Sequence, residues 1–230
     1  MGDPEPNPSF NAASLDAAGF VLAGGRSSRM GCDKALLKLA GRPLIAHALA
    51  ILAEAALPVT IAGADPSSRP FLSAYAPVIE DPAPGLGPLA GICSALASTS
   101  ACYAVFLPVD LPLLPPSLIS CLLNRARITG HAVTVPTVNG FTQTFPAILD
   151  RSALSALQIK LYTRHGGCYA AFLAAAHSLG QPIATVAVEF LAQSDHVTHA
   201  DGVPTALWFL NVNFPQDLER AGALMARGIA

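Results

Sequence analysis

Two glycines and two spaced cations follow a short apolar stretch in Leu22-Ala23-Gly24-Gly25-Arg26-Ser27-Ser28-Arg29-Met30-Gly31-Cys32-Asp33-Lys34. Without a Cβ, Gly24 and Gly25 let the backbone take unusual dihedrals and bring its N–H groups close to phosphate oxygens. Arg29 and Lys34 add mobile positive charge. The string reads as a cradle for a nucleotide triphosphate rather than as an ordinary strand-to-helix turn. It is not a Walker A loop, because no Gly-Lys-Ser/Thr closes it, and it lacks the Gly-x-Gly-x-x-Gly spacing of a dinucleotide site.

A carboxylate for the same chemistry stands at the end of Tyr103-Ala104-Val105-Phe106-Leu107-Pro108-Val109-Asp110. The run reads as a central buried strand, and ligands of open α/β sheets collect at the carboxyl ends of such strands. A carboxylate buried there needs a partner, and Mg²⁺ held by one or two carboxylates plus substrate phosphates supplies one. A lone strand-end aspartate otherwise serves as a cap or turn residue; beside the glycine loop, Asp110 reads as the metal ligand. In Asp81-Pro82-Ala83-Pro84-Gly85-Leu86-Gly87-Pro88-Leu89-Ala90-Gly91 there is a formal Gly-x-Gly-x-x-Ala match. Pro88 removes a backbone donor that a pyrophosphate would use, and Pro82 and Pro84 detach the glycines from any preceding strand, so the match carries no dinucleotide site. By itself Asn211-Val212-Asn213-Phe214-Pro215-Gln216-Asp217-Leu218 is a loop and helix start, with Pro215 near the first turn.

The elements that must position these residues alternate. Gly19 to Ala23 reads as a buried strand, Leu36 to Ala56 as a helix broken at Gly41-Arg42-Pro43, and Pro58 to Gly63 and Ala76 to Asp81 as strands. Gly91 to Ser100 and Ser117 to Ala126 read as helices, with Pro116 starting the second. Ala132 to Pro136 is a further strand, and Phe145 to Leu149 one lying against the sheet. Arg151 to Ala176 reads as helix broken at His165-Gly166-Gly167, Ala184 to Phe190 as strand, and Asp217 to Arg227 as the closing helix. Such alternation predicts a mostly parallel sheet in a Rossmann-like three-layer α/β domain.

Composition agrees. The 230 residues are 52% hydrophobic and only 12% charged, which suits strands covered on both faces. A net charge of −2 offers no global basic field to nucleic acid or an acidic membrane, so an anionic ligand must be held by local cations. The five cysteines are scattered singly and form no zinc pattern with the six histidines, which predicts reduced thiols in a cytoplasm. Residues 1–18 carry Pro4, Pro6 and Pro8 without lysine, arginine or an apolar core, and read as a loose, disordered tail before one domain over 19–230. Apolar runs stop short of the roughly 20 residues of a membrane helix.

The string from Leu22 to Lys34 resembles the signature of the molybdenum cofactor guanylyltransferases: Leu-Ala-Gly-Gly, a small residue, Arg-Met-Gly, then Asp/Asn-Lys. The likeness is dense over Gly19 to Pro116 and Phe209 to Ala221 and thin between. It implies the nucleotide-diphospho-sugar-transferase type of α/β fold. It also implies transfer of GMP from GTP to molybdenum-loaded molybdopterin, with Mg²⁺ as cofactor and pyrophosphate as leaving group. In that reading Arg29, Lys34 and Asp110 are catalytic, with Asp110 on the metal. The nucleotide contacts are Leu22, Ala23, Gly24, Gly25, Lys34, Asp81, Gly87 and Asp110, because Gly-Pro-Leu-Ala-Gly resembles a segment that closes over the nucleotide after its aspartate. Asn211 and Asn213, matching Asn-x-Asn-x-Pro-x-Asp-Leu, fall on the substrate side. Molybdenum-insertion or delivery proteins are the implied protein partners.

One departure falls at Ile61-Ala62-Gly63-Ala64, where many of these enzymes carry an asparagine after the strand. Three rivals follow. A cytidylyltransferase on the same pterin usually opens with Leu-Ala-Ala-Gly, sugar-phosphate nucleotidyltransferases use similar loops in longer chains, and a regulatory homologue would bind GTP with weak catalysis.

Overall fold

All six residues of β1, Ala17–Leu22, are buried, the pattern of a strand covered on both faces. The computed structural model describes residues 16–24, 33–64, 69–81, 86–163 and 166–227. Along the chain follow β2 (Lys38–Leu39), β3 (Arg42–Pro43), α1 (Leu44–Glu54), β4 (Val59–Ala64), β5 (Val78–Glu80), α2 (Pro88–Ser98) and β6 (Tyr103–Pro108). Then come α3 (Pro116–Thr129), β7 (Val133–Val138), β8 (Phe141–Thr142), β9 (Ala147–Asp150), α4 (Leu154–Thr163), α5 (Cys168–Ser178), β10 (Ala184–Ala187), α6 (Val188–Gln193) and α7 (Pro215–Arg227).

Seven strands run in the order β10-β7-β9-β6-β1-β4-β5, with β8 added to β7. β1 is parallel to both β4 and β6, β5 to β4, and β10 to β7, while β9 is antiparallel to β6 and β7. Alternate side chains supply two cores. Val21, Val105 and Leu107 pack with α1 and α3 on one face. Phe20, Leu22 and Phe106 pack with α2, α4 and α5 on the other. Phe20 and Phe106 stack across the β1–β6 pair with centroids 5.4 Å apart. This is the three-layer, mostly parallel architecture that the alternation predicts.

Order reverses beside β1. The chain builds outward through β4 and β5, then returns to place β6 on the other flank. The carboxyl ends of β1 and β6 therefore flank a topological switch point, the place where open α/β sheets bind ligands. The Val109 N–H donates to the Leu22 carbonyl at 3.3 Å and the Ala23 N–H to the Ala62 carbonyl at 3.1 Å, so three strand ends are tied together.

Several boundaries differ from the sequence reading. β1 starts at Ala17, inside the segment expected to be a tail; residues 1–15 lie outside the described residues. Leu36 to Ala56 is not one broken helix. The β2–β3 hairpin occupies its first part, turning through Ala40 and Gly41 with φ of 48° and 79°, the two positive values a tight hairpin turn requires. α2 and α7 begin at Pro88 and Pro215 and not at Gly91 and Asp217, while α3 begins at Pro116 as expected, because proline suits a helix's first turn. β9 lies within the sheet, not against it. Ala184 to Phe190 splits into β10 and α6, with Glu189 in the helix's first turn.

Candidate active site

At the switch point lies a cavity of about 550 Å³. Leu22, Ala23 and Gly24 line it from β1, Pro108, Val109 and Asp110 from β6, and Asn211 and Asn213 from the segment before α7. That segment is fastened to the sheet by the Val212 N–H, which donates to the Asp110 carbonyl at 2.9 Å. Stretches far apart in sequence thus meet at one place.

Lys34 is the central cation. It opens a 3₁₀ turn, Lys34–Leu36, whose N-cap Asp33 accepts the Ala35 N–H on Oδ1 at 3.0 Å. Its ammonium lies 2.8 Å from Asp110 Oδ2 and donates to Asn213 Oδ1 at 2.7 Å. The Lys34 and Asp110 side chains are 17% and 23% exposed, so water screens the pair only in part. Asn213 is placed by α7. The Asp217 carboxylate accepts the backbone N–H groups of Asn213 and Phe214 at 2.9 and 2.8 Å, half of a capping box that explains the Asn-x-Pro-x-Asp spacing.

The other Asp110 oxygen, Oδ1, is buried and has no hydrogen-bond partner among the described residues. An orphaned carboxylate oxygen beside a lysine, on a residue that lines the cavity, fits a hard cation whose remaining ligands are phosphate oxygens and waters. No cluster of three or more His, Cys, Asp or Glu that could hold a metal by protein groups alone occurs among the described residues. Mg²⁺, which keeps waters and takes few carboxylates, is the cation that this donor set suits.

The cavity floor is backbone against backbone. A Cβ on Gly24 would stand 2.5 Å from the Gly63 carbonyl oxygen, and one on Gly91 would stand 2.5 Å from Gly63 Cα and 2.7 Å from its N. Gly63 itself has φ of +73°, a conformation that L side chains rarely adopt. Three glycines from the ends of β1 and β4 and the start of α2 therefore interlock. The unusual Gly63 belongs to this packing.

Of the residues read from the sequence, Leu22, Ala23, Gly24, Lys34, Asp110, Asn211 and Asn213 all line the cavity. Gly25 and Arg29 lie outside the described residues, as does His165. Asp81 and Gly87 do not line it: Asp81 follows β5, beyond β4, and Gly87 caps α2 with φ of +77°, leaving its neighbour Pro88 to reach the cavity. Sequence reading missed Gly63, Arg69, Gln143, Thr144, Phe145 and Phe209, all in the lining. Gln143 to Phe145 arrive because β9 runs antiparallel beside β6. Phe145 meets Phe172 of α5 edge-on at 6.1 Å. In the chain, the Gly63 departure gave a signal, as did the loose family likeness of Phe145 to Ser152 to parts that face the pterin.

The family of the MobA-like NTP transferase domain matches residues 19–186. The chain belongs to that family. As a member it is a nucleotidyltransferase, in keeping with a switch-point cavity that gathers a glycine turn, a lysine and an aspartate. A probable molybdenum cofactor guanylyltransferase of Bacillus cereus (strain ATCC 10987 / NRS 248) is 32% identical over 207 residues, 89% of this chain and 94% of that protein. A molybdenum cofactor guanylyltransferase of Xanthomonas euvesicatoria pv. vesicatoria is 48% identical over 111 residues, 47% of this chain and 54% of that one. Among solved structures, molybdopterin-guanine dinucleotide biosynthesis protein A of Archaeoglobus fulgidus superposes with a TM-score of 0.74 at 23% identity, covering 91% of this chain and 99% of that one. The 2-C-methyl-D-erythritol 4-phosphate cytidylyltransferase of Thermus thermophilus superposes at 0.62 with 21% identity, over 92% and 100% of the two chains. At such identities these two share the fold, the nucleotidyltransferase architecture expected from the sequence. No helix among the described residues is long and apolar enough to cross a membrane.

Proposed function

We propose that this nucleotidyltransferase moves GMP from GTP onto molybdenum-loaded molybdopterin, giving the guanine dinucleotide form of the cofactor. The observation that carries the reading is the Lys34–Asp110–Asn213 cluster at the switch point, with Asp110 Oδ1 unpartnered among the described residues. The relatives named as molybdenum cofactor guanylyltransferases supply the donor and acceptor.

The cavity divides along the sheet order. Over β1 and β4 lie Leu22, Ala23, Gly24 and Gly63, where backbone N–H groups take the nucleotide. Toward β9 lie Gln143, Thr144 and Phe145, an aromatic and amide wall suited to a flat heteroaromatic acceptor, and Phe209 and Asn211 also line the cavity. Asp110 stands between the halves. It would hold Mg²⁺, which would supply positive charge to offset that of the phosphates.

Lys34 presents its ammonium to the phosphate chain and neutralises the charge that grows toward the leaving group. Arg29, outside the described residues, adds a second cation in the same role. An oxygen of the acceptor's terminal phosphate forms a new bond to the α-phosphorus, the bond from that phosphorus to the α–β bridging oxygen breaks, and pyrophosphate leaves with the electron pair. The attacking oxygen is already anionic, so no general base is needed, and rate comes from placement and charge. Such a protein works in the cytoplasm with its cysteines as thiols.

GTP labelled at the α-phosphate tests the reading. Label should pass to a pterin product in step with pyrophosphate release. Label retained on GTP in the presence of molybdopterin and Mg²⁺ would contradict it.

A further inference from the structure

We infer that Arg69 is a positioning residue that staples both ends of the glycine loop and thereby sets where Lys34 stands; this rests on the nucleotide-transfer reading of the cavity. Arg69 belongs to none of the sequence motifs. It follows β4 and immediately precedes the 3₁₀ turn Pro70–Ala74, whose Leu72 N–H donates to its carbonyl at 3.1 Å.

Two contacts of its guanidinium converge on one loop. Nε lies 2.7 Å from Asp33 Oδ2, and Nη1 donates to the Ala23 carbonyl. Ala23 and Asp33 are the two ends of the segment that holds the cations and glycines. One planar group of fixed geometry therefore ties Ala23 to Asp33. The Arg69 and Asp33 side chains are only 15% and 18% exposed, so the pair is far less screened than a surface ion pair.

The consequence reaches Lys34 through Asp33. With Oδ2 on Arg69, the same carboxylate turns Oδ1 to the Ala35 N–H and fixes the turn that begins at Lys34. Lys34 then meets Asp110 and Asn213. A lysine would keep the charge toward Asp33 but lacks the fork that also reaches Ala23.

The test uses Arg69→Gln, Arg69→Lys, Asp33→Asn and the double variant Arg69→Gln/Asp33→Asn in the full chain, with two readouts. Asparagine keeps an oxygen for the Ala35 cap while removing the ion pair. In single-turnover pyrophosphate release from GTP with molybdopterin and Mg²⁺, Arg69→Gln and Asp33→Asn should each lose about 10- to 100-fold, the range seen when a group that orients a ligand-bearing residue is removed. The double variant should be no worse than about twofold below the poorer single, because both remove one interaction, and Arg69→Lys should fall between. In the second readout, trypsin cleavage after Arg26 and Arg29, followed by mass spectrometry, should quicken about tenfold in Arg69→Gln and in Asp33→Asn alike as local opening becomes easier. Multiplicative losses in the double variant, or lost activity with unchanged cleavage, would overturn the staple and place Arg69 on the substrate instead. Should the unsubstituted protein transfer nothing, the nucleotide-transfer reading fails alone, and cleavage still decides the staple: unchanged cleavage in both variants overturns it.

Discussion

Gly91→Ala separates two physical expectations of opposite sign. Gly91 lies within α2, and replacing a helical glycine by alanine ordinarily stabilises by about 0.5–1 kcal/mol. Here the new methyl would stand 2.5 Å from Gly63 Cα and 2.7 Å from Gly63 N. Carbon contacts relax near about 3.5–4.0 Å, so the two backbones must part by about 1 Å, with no rotamer to absorb the strain. Overpacking of this kind costs about 1–3 kcal/mol, which offsets the propensity gain and leaves a loss of up to about 2.5 kcal/mol. For a chain of this length that lowers Tm by up to about 10 °C. Gly63 also lines the cavity and touches Gly24, so the same displacement reaches the cavity floor and should cut kcat/KM by up to about 100-fold. Thermal unfolding followed by circular dichroism, paired with pyrophosphate-release kinetics, reads both effects. Gly222→Ala in α7, whose Cβ would meet only Leu39 Cδ1 at 3.8 Å, is the control and should raise Tm by about 1–4 °C. If Gly91→Ala stabilised as Gly222→Ala does, the interlocked-glycine floor would be refuted.

Asp110→Asn or Lys34→Ala should lower turnover by about 10²- to 10³-fold with little change in Tm, read as kcat from steady-state pyrophosphate release; near-normal turnover would remove either residue from the mechanism. Asp217→Ala breaks the acceptor shared by the Asn213 and Phe214 N–H groups and should cost about 1 kcal/mol of stability, measured by urea unfolding, while loosening Asn213 and raising KM. Burial pushes the Cys93 and Cys168 thiols up to about 11, and the neighbouring Cys168 adds to the rise at Cys93. Folded-state pKa values above the unfolded ones mean that the unfolded chain ionises first, so stability present below pH 9 is lost as pH rises from 9 toward 11. Cys93→Ala/Cys168→Ala should flatten that decline in chemical denaturation across the range, and in the parent both thiols should alkylate far more slowly at pH 8 than exposed Cys102.

What could be read from the chain alone was local. The strand–glycine–cation order at Leu22 to Lys34, the apolar run that ends at Asp110, and the Asn211 to Asp217 spacing each encode geometry within a dozen residues, and the fold brings all three to one cavity. The β2–β3 hairpin escaped because Leu36 to Ala56 keeps a helical apolar period, and nothing in the type of Ala40 signals its left-handed φ of 48°. β9 escaped because strand direction is decided by long-range pairing; an apolar run such as Ala147–Asp150 reads the same in either orientation. At Ala184 to Phe190 the β-branched residues outweighed Glu189, which marks the first turn of α6. Arg69, Gln143, Thr144 and Phe209 carry no motif. Their proximity to Asp110 exists only once β4, β9 and the segment before α7 are assembled.

The central claim is met most directly by measuring pyrophosphate release from GTP, CTP and ATP in parallel, each with Mg²⁺ and molybdopterin, beside Asp110→Ala. Release with GTP alone, lost in Asp110→Ala, is the predicted result. Release that prefers CTP, or GTP bound without any release, would contradict the account.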